Sequence, residues 1–160
     1  MIRPDHSASA PDSLHGEGSG GALWGIVDGA RDDSLFAEVR RLGQDAVCLF
    51  AGKLDPSLAA VSPYLVRLRE GAPFLARWRG EGLGQAWGIL FRSDSDMETL
   101  RRFFRQHLDA EMPDGRRVLF RFYDPRVFVQ GGLAATEITS TQLVSRWLLD
   151  AESTMGTRVS

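Results

Sequence analysis

The run Val118–Tyr123 alternates strictly between two faces. Val118, Phe120 and Phe122 fall on one side and Leu119, Arg121 and Tyr123 on the other, which is the two-residue period of a strand. Asp124-Pro125 stops it, because proline has no N–H for a ladder and holds the residue before it extended. Aromatic rings packed so closely along one strand demand a covering layer. The charged break after them is either a plain strand terminus or a place where Tyr123, Asp124 and Arg126 face something else.

The rest of the chain alternates strand and helix patterns. Ala22–Asp28 is an apolar strand ending at Asp28-Gly29. Leu35, Phe36, Val39 and Leu42 then recur at helical spacing, behind Asp32 or Asp33 as cap and ahead of Gly43. Ala46–Phe50 is a second buried strand, so this strand–helix–strand order predicts a right-handed parallel βαβ unit. Pro56–Ala60 gives one helical turn, Tyr64–Leu68 a weaker strand and Pro73–Trp78 a short helix with proline in its first turn. Gly80, Gly82 and Gly84 make a loop. Ala86–Phe91, with Trp87 and Gly88, is a strong strand. The next helix opens on the capping box Ser95-x-x-Glu98 and buries Met97, Leu100, Phe103, Phe104 and Leu108, leaving Arg101, Arg102 and Arg105 on what reads as a solvated face. Pro113-Asp114-Gly115 turns the chain into the aromatic strand. Gln130–Ile138 reads as irregular and glycine-containing, and Thr139–Asp150 as a last helix, with Leu143 and Trp147 inward.

These patterns predict an α/β protein: a single domain with a mostly parallel or mixed sheet of about five strands flanked by helices, and a short helical C-terminal extension. The polar residues 1–20 read as a flexible leader, 21–129 as the α/β domain, 130–151 as the helical extension and 152–160 as a disordered tail.

Composition narrows the function classes. The formal net charge of −2 gives no global argument for nucleic acid or an anionic membrane. Cys48 is the only cysteine and sits in an apolar run, which fits a core thiol. No apolar run approaches the ~20 residues of a membrane helix, and the N-terminus lacks the apolar core of a secretory signal. A cytoplasmic protein is expected. Gly16-x-Gly18-x-x-Gly21 matches a dinucleotide fingerprint as a string, but it precedes the first strand instead of opening a helix after one. His6, His15 and His107 have no metal-ligand spacing. No metal, cofactor or catalytic constellation is expected.

Two groups of residues leave functional alternatives open. Asp28, Asp94 and Asp124 each fall at a strand end, where a parallel sheet binds ligands, so a small enzyme or ligand-binding domain is one reading. The bland alternative is that all three serve turns and helix starts. Arginine supplies all the basic residues except Lys53. Arg101, Arg102, Arg105, Arg116, Arg117, Arg121 and Arg126 lie in one stretch among aromatics, a mixture that suits a protein interface. Acidic residues interleaved with them and the net charge of the chain disfavour nucleic acid.

Five segments stand in an order that resembles a known family. They are Leu23-Trp24-Gly25-Ile26-Val27-Asp28-Gly29-Ala30, Cys48-Leu49-Phe50, Ala60 to Leu68, Trp87-Gly88-Ile89-Leu90-Phe91-Arg92-Ser93, and Phe120 to Val127. Over residues 22 to 128 the chain resembles the bacterial type VI secretion adaptor domain, formerly a domain of unknown function. The resemblance implies a non-catalytic, cytoplasmic chaperone without cofactor, which binds an effector protein and helps load it onto the VgrG spike. Members commonly continue past Asp-Pro-Arg into a Leu-Pro-Thr-type stretch and a helical lobe; here Phe128-Val129-Gln130-Gly131-Gly132-Leu133 stands instead. Tyr123, Arg126, Arg121 and Trp147 are the expected protein contacts, and Trp87, Gly88, Phe120, Phe122, Asp124, Pro125 and Asp28 the structural motif. An immunity-type protein that only masks an effector is the remaining alternative.

Overall fold

Strand β1, Ala22–Asp28, is buried along nearly its whole length and is the middle of a five-stranded sheet. The structure, a computed structural model, describes residues 20–130 and 132–148. Of the leader expected over residues 1–20 all but Gly20 lies outside the described residues, as does the tail expected from 152. After β1 come helix α1, Asp33–Leu42, strand β2, Ala46–Cys48, helix α2, Pro56–Ala60, and strand β3, Pro63–Leu68. Helix α3, Pro73–Arg77, runs into a π-helical turn, Trp78–Gly82, and then strand β4, Gly88–Ser93. Helix α4, Met97–Arg105, is followed by strands β5, Asp109–Glu111, and β6, Arg117–Leu119. Helices α5, Pro125–Gln130, and α6, Gly132–Thr139, lead to strand β7, Arg146–Leu148.

The sheet order is β2-β3-β1-β4-β7, and every neighbouring pair is antiparallel. The expectation of a mostly parallel or mixed sheet is therefore corrected, while the α/β class and the five strands stand. The reason is interleaving. β1 and β2 do run the same way, as a crossover through α1 requires, but β3 is inserted between them and pairs with both. β3 and β4 likewise share a direction across β1, joined through α3. Alternating strands and helices thus arise from two crossovers that each straddle a strand, so direction in the sequence does not specify neighbours.

Helices cover both faces, which accounts for the near-continuous apolar runs in the strands. On one face Leu23, Val27, Val66 and Leu90 meet Leu35 and Val39 of α1 and Phe74, Leu75 and Trp78 of the α3 segment. On the other, Trp24, Ile26, Leu65, Ile89 and Phe91 meet Leu100 and Phe104 of α4, together with Phe122, Tyr123, Phe128 and Ile138. Local chemistry sets the helix ends. The Asp32 side chain caps α1 by accepting from the Ser34 amide, and Gly43 ends it at φ 56°, a left-handed value suited to glycine. The cap of α4 is Asp96, which accepts from the Thr99 amide at 2.7 Å, so the cap falls one residue after the expected Ser95.

Three further expectations are revised. Val118–Tyr123 is not one long strand: β6 stops at Leu119 and pairs only with β5 in a separate hairpin. Thr139–Asp150 is not a helix: α6 ends at Thr139, and Arg146–Leu148 rejoins the sheet, where Trp147 stands opposite Phe91. The extension is therefore helical over Gly132–Thr139, where irregular backbone is expected, and not over the stretch where the helix is expected. Arg105 is not on a solvated face. Its guanidinium donates to the carbonyls of Cys48, Leu49 and Phe50 at 3.1, 2.8 and 3.1 Å, closing the end of edge strand β2. Arg105→Met keeps the stem and leaves those carbonyls without their donor. It is expected to cost about 2 kcal/mol, read as a fall of about 4–8 °C in thermal midpoint; a midpoint within 1 °C of the parent would refute the role.

Candidate functional site

Asp28, at the end of β1, is only 1% exposed. Its Oδ1 accepts from the Ala30 amide at 3.0 Å, and its Oδ2 from the Arg121 guanidinium. Gly29 follows because no side chain fits there: a Cβ would lie 2.6 Å from the Ala60 carbonyl oxygen and 2.8 Å from that of Ser62. Tyr123 is buried beside this pair at 2% exposure. Burial pushes its phenol up to about 12, with the Asp28 charge adding to the effect. The phenol is therefore protonated at neutral pH and serves as a hydrogen-bonding group of the core.

Asp124 and Pro125 begin a helix. Proline occupies the first position of α5, where its missing N–H is no loss, and Asp124 precedes it as the cap. The Asp124 carbonyl accepts from the Phe128 amide at 2.8 Å, and its Oδ1 from the Arg126 amide at 2.9 Å. Arg126 folds back onto the same carboxylate, with Nε at 3.0 Å from Oδ1 and Nη2 at 2.6 Å from Oδ2. This charge-assisted fork is what mainly holds the Asp124 carboxyl below the usual carboxylate range. Asp28, Tyr123, Asp124 and their arginines thus form one cluster where β1 meets α5.

The outward part of the cluster is cationic. The side chains of Arg121 and Arg126 are 43% and 63% exposed. Arg31, exposed after β1, lies close enough to Asp124 to favour its charge, and donates to the Gln85 carbonyl at 3.2 Å. Three guanidinium groups over two shielded carboxylates present donors to solvent. That arrangement suits recognition of carboxylates or carbonyls on a partner. Of the expected contacts, Arg121 and Arg126 reach the surface and Tyr123 does not. Trp147 is half-buried, packs on Phe91, Phe104 and Phe128, and donates from Nε1 to the Thr139 carbonyl at 3.2 Å. Of the structural motif, Trp87 and Phe122 are fully buried and Phe120 half-buried against the core. Arg31 was missed because nothing in the sequence brings it beside Asp124.

The three carboxylates do not meet. β1 and β4 are antiparallel, with Ala22 opposite Ser93, so Asp94 lies at the other end of β1 from Asp28. The strand has seven residues, a separation of roughly 20 Å. Asp94 instead lines a cleft of about 380 Å³ with Trp24, Asp45, Arg67 and Asp96. Among the described residues, no group of three or more His, Cys, Asp or Glu is placed to hold a metal.

The model of a family described as Domain of unknown function (DUF4123) matches residues 23–138, most of the chain. The chain belongs to the DUF4123 family. The match runs from the second residue of β1 to the penultimate residue of α6, so the DUF4123 domain includes both covering layers of the sheet. It reaches ten residues beyond the 128 at which the resemblance was expected to end. No curated protein and no solved structure matches the chain at a significant level. Among the described residues of this DUF4123 domain, no helix is long and apolar enough to cross a membrane.

The carboxylates of the domain set an acid limit on its stability. Asp124 is lowered chiefly by Arg126, Glu70 by the two-pronged contact of Arg79, and Asp96 by the Thr99 amide. A carboxyl whose folded value lies below its unfolded one, about 4, stabilises fully above that value and loses the effect as the pH falls through the folded one. The thermal midpoint is expected to hold near neutrality and to drop on acidification below about pH 4. Asp124→Asn should show a shallower drop; an unchanged acid limb would refute the contribution of Asp124.

Proposed function

We propose that this chain is a non-catalytic adaptor that binds a type VI secretion effector and helps load it onto the VgrG spike. The observation that carries the reading is the DUF4123 match over residues 23–138, which takes in all five of the segments whose order resembles the adaptor family. The cluster at the β1–α5 junction suits the role. Its carboxylates are occupied by amides and guanidiniums, while Arg121 and Arg126 stand outward. Arg126 makes its ion pair within its own turn, so it can lose its side chain without opening the core.

Co-expression with the effector and VgrG of the same gene neighbourhood tests the reading. Both proteins are expected to co-purify with the adaptor, and Arg126→Ala is expected to weaken effector capture by about tenfold while the melt stays cooperative, its midpoint lowered only by the loss of the Asp124–Arg126 pair. Capture of the effector without the spike protein would replace this reading with a masking protein. Capture of neither would overturn it.

A further inference from the structure

We infer that the β5–β6 hairpin is a docking arm whose open β6 edge receives an extended segment of another protein, one that alternates acidic and large apolar residues. The register fixes which backbone groups are available. Phe120 N–H donates to the Leu108 carbonyl at 2.6 Å, and Met112 N–H to the Arg116 carbonyl at 2.8 Å. Bonded and non-bonded pairs alternate along an antiparallel ladder. Ala110 and Val118 are therefore the bonded pair between those two, and the N–H and C=O groups of Arg117 and Leu119 point away from β5. No other described strand pairs with that side of β6. Edge strand β2 of the main sheet has Arg105 across its last carbonyls; the β6 edge has no such cover among the described residues.

Side chains give the arm its selectivity. Leu108 and Phe120 anchor its base in the core, and on the same face Val118 and Met112 carry the apolar stripe outward at 37% and 40% exposure. On the opposite face Leu119 is 46% exposed beside Arg117. Basic residues flank the open edge: Arg116, Arg117 and Arg121. The ion pairs of Arg116 with Asp114 and of Arg117 with Asp109 lie at the surface, where such pairs contribute little and exchange readily. An incoming strand gains up to four main-chain hydrogen bonds from Arg117 and Leu119, apolar cover over Val118 and Leu119, and attraction for carboxylates.

Charge and shape disfavour the other occupants. Two β6 edges paired about Val118 would line both sets of arginines along one seam. The β5 edge of a second copy offers Asp109 and Glu111 but only Ala110 between them. Residues 1–19 of this chain hold Pro4 and Pro11 and no alternating run. The inference does not depend on the partner being a secreted effector.

A phage-displayed library of random twelve-residue peptides, selected on the full chain, supplies the probe. Enriched peptides are expected to alternate Asp or Glu with Val, Ile, Leu or Phe. A synthetic peptide of the best sequence should slow hydrogen exchange at the Arg117 and Leu119 amides. Leu119→Pro removes an outward N–H without breaking the hairpin ladder. It is expected to weaken peptide binding at least tenfold while the thermal midpoint is kept. Arg117→Glu keeps the edge backbone, serves if the proline variant fails to fold, and should weaken acidic peptides by a similar factor. Enrichment without the alternation, binding indifferent to both variants, or protection placed elsewhere would overturn the inference. So would Arg117 and Leu119 amides already protected in the chain alone, which would put its own segment or a second copy on the edge.

Discussion

Gly88→Ala is expected to abolish the folded protein, not merely weaken it. A Cβ at Gly88 would lie 1.8 Å from the Ile26 carbonyl oxygen, 2.8 Å from its carbon and 3.1 Å from the Val27 Cα. All three are backbone atoms of β1, opposite Gly88 across the central seam of the sheet. No rotamer change relieves the clash; β1 and β4 must part. Parting them opens the ladder between the best-buried strands, next to Trp87 and Ile26, both fully buried. The cost should exceed about 4–5 kcal/mol, against a total of about 5–15 kcal/mol for a typical domain. Gly80→Ala is the control, since an added Cβ there meets nothing within 4 Å. Near-ultraviolet circular dichroism of the soluble fraction is the measurement. A cooperative melt for Gly88→Ala within a few degrees of the parent would show that the seam is more pliant than its geometry implies.

Elements whose signals are local were legible in the sequence. The α1 cap at Asp32 and its stop at Gly43, the proline-started α2 and α3, and the strands at β1, β3 and β4 all follow from side chains near them in the chain. Pairing was not legible, because neither apolar pattern nor strand–helix order says which strands touch. β3 enters between β1 and β2 through contacts far apart in sequence. The Val118–Tyr123 alternation misled for a related reason. Leu119 and Phe120 alternate like a strand, but Phe122 and Tyr123 are both buried, because the chain turns there to start α5. Pro125 has two opposite uses, ending a strand or opening a helix, and the capping carboxylate of Asp124 decides for the second. The site was legible as a set of residues and not as an arrangement. Asp28, Arg121, Tyr123, Asp124 and Arg126 were all singled out, yet the pairing of Arg121 with Asp28 spans 93 positions.

That long-range pair makes Arg121 a structural residue with an exposed flank. Arg121→Met is expected to destabilise by about 3 kcal/mol, the low end of the cost of removing one partner from a buried ion pair. The low end applies because the Arg121 side chain is 43% exposed and water reaches the pair. What remains is an Asp28 carboxylate, 1% exposed, whose one other hydrogen bond among the described residues comes from the Ala30 amide. Asp28→Asn preserves an oxygen for that amide and removes the charge. The double variant Asp28→Asn with Arg121→Met should therefore be more stable than Arg121→Met alone, recovering about 1–2 kcal/mol through the coupling of the two sites. Thermal melts of the four proteins give the cycle, and Arg121→Met should fall by about 6–12 °C. Strict additivity would mean that Asp28 and Arg121 act independently. It would also return Arg121 to the partner-facing role that its exposure alone suggests. Coupling of the expected sign leaves Arg126 as the guanidinium of the cluster that can be removed without disturbing the end of β1.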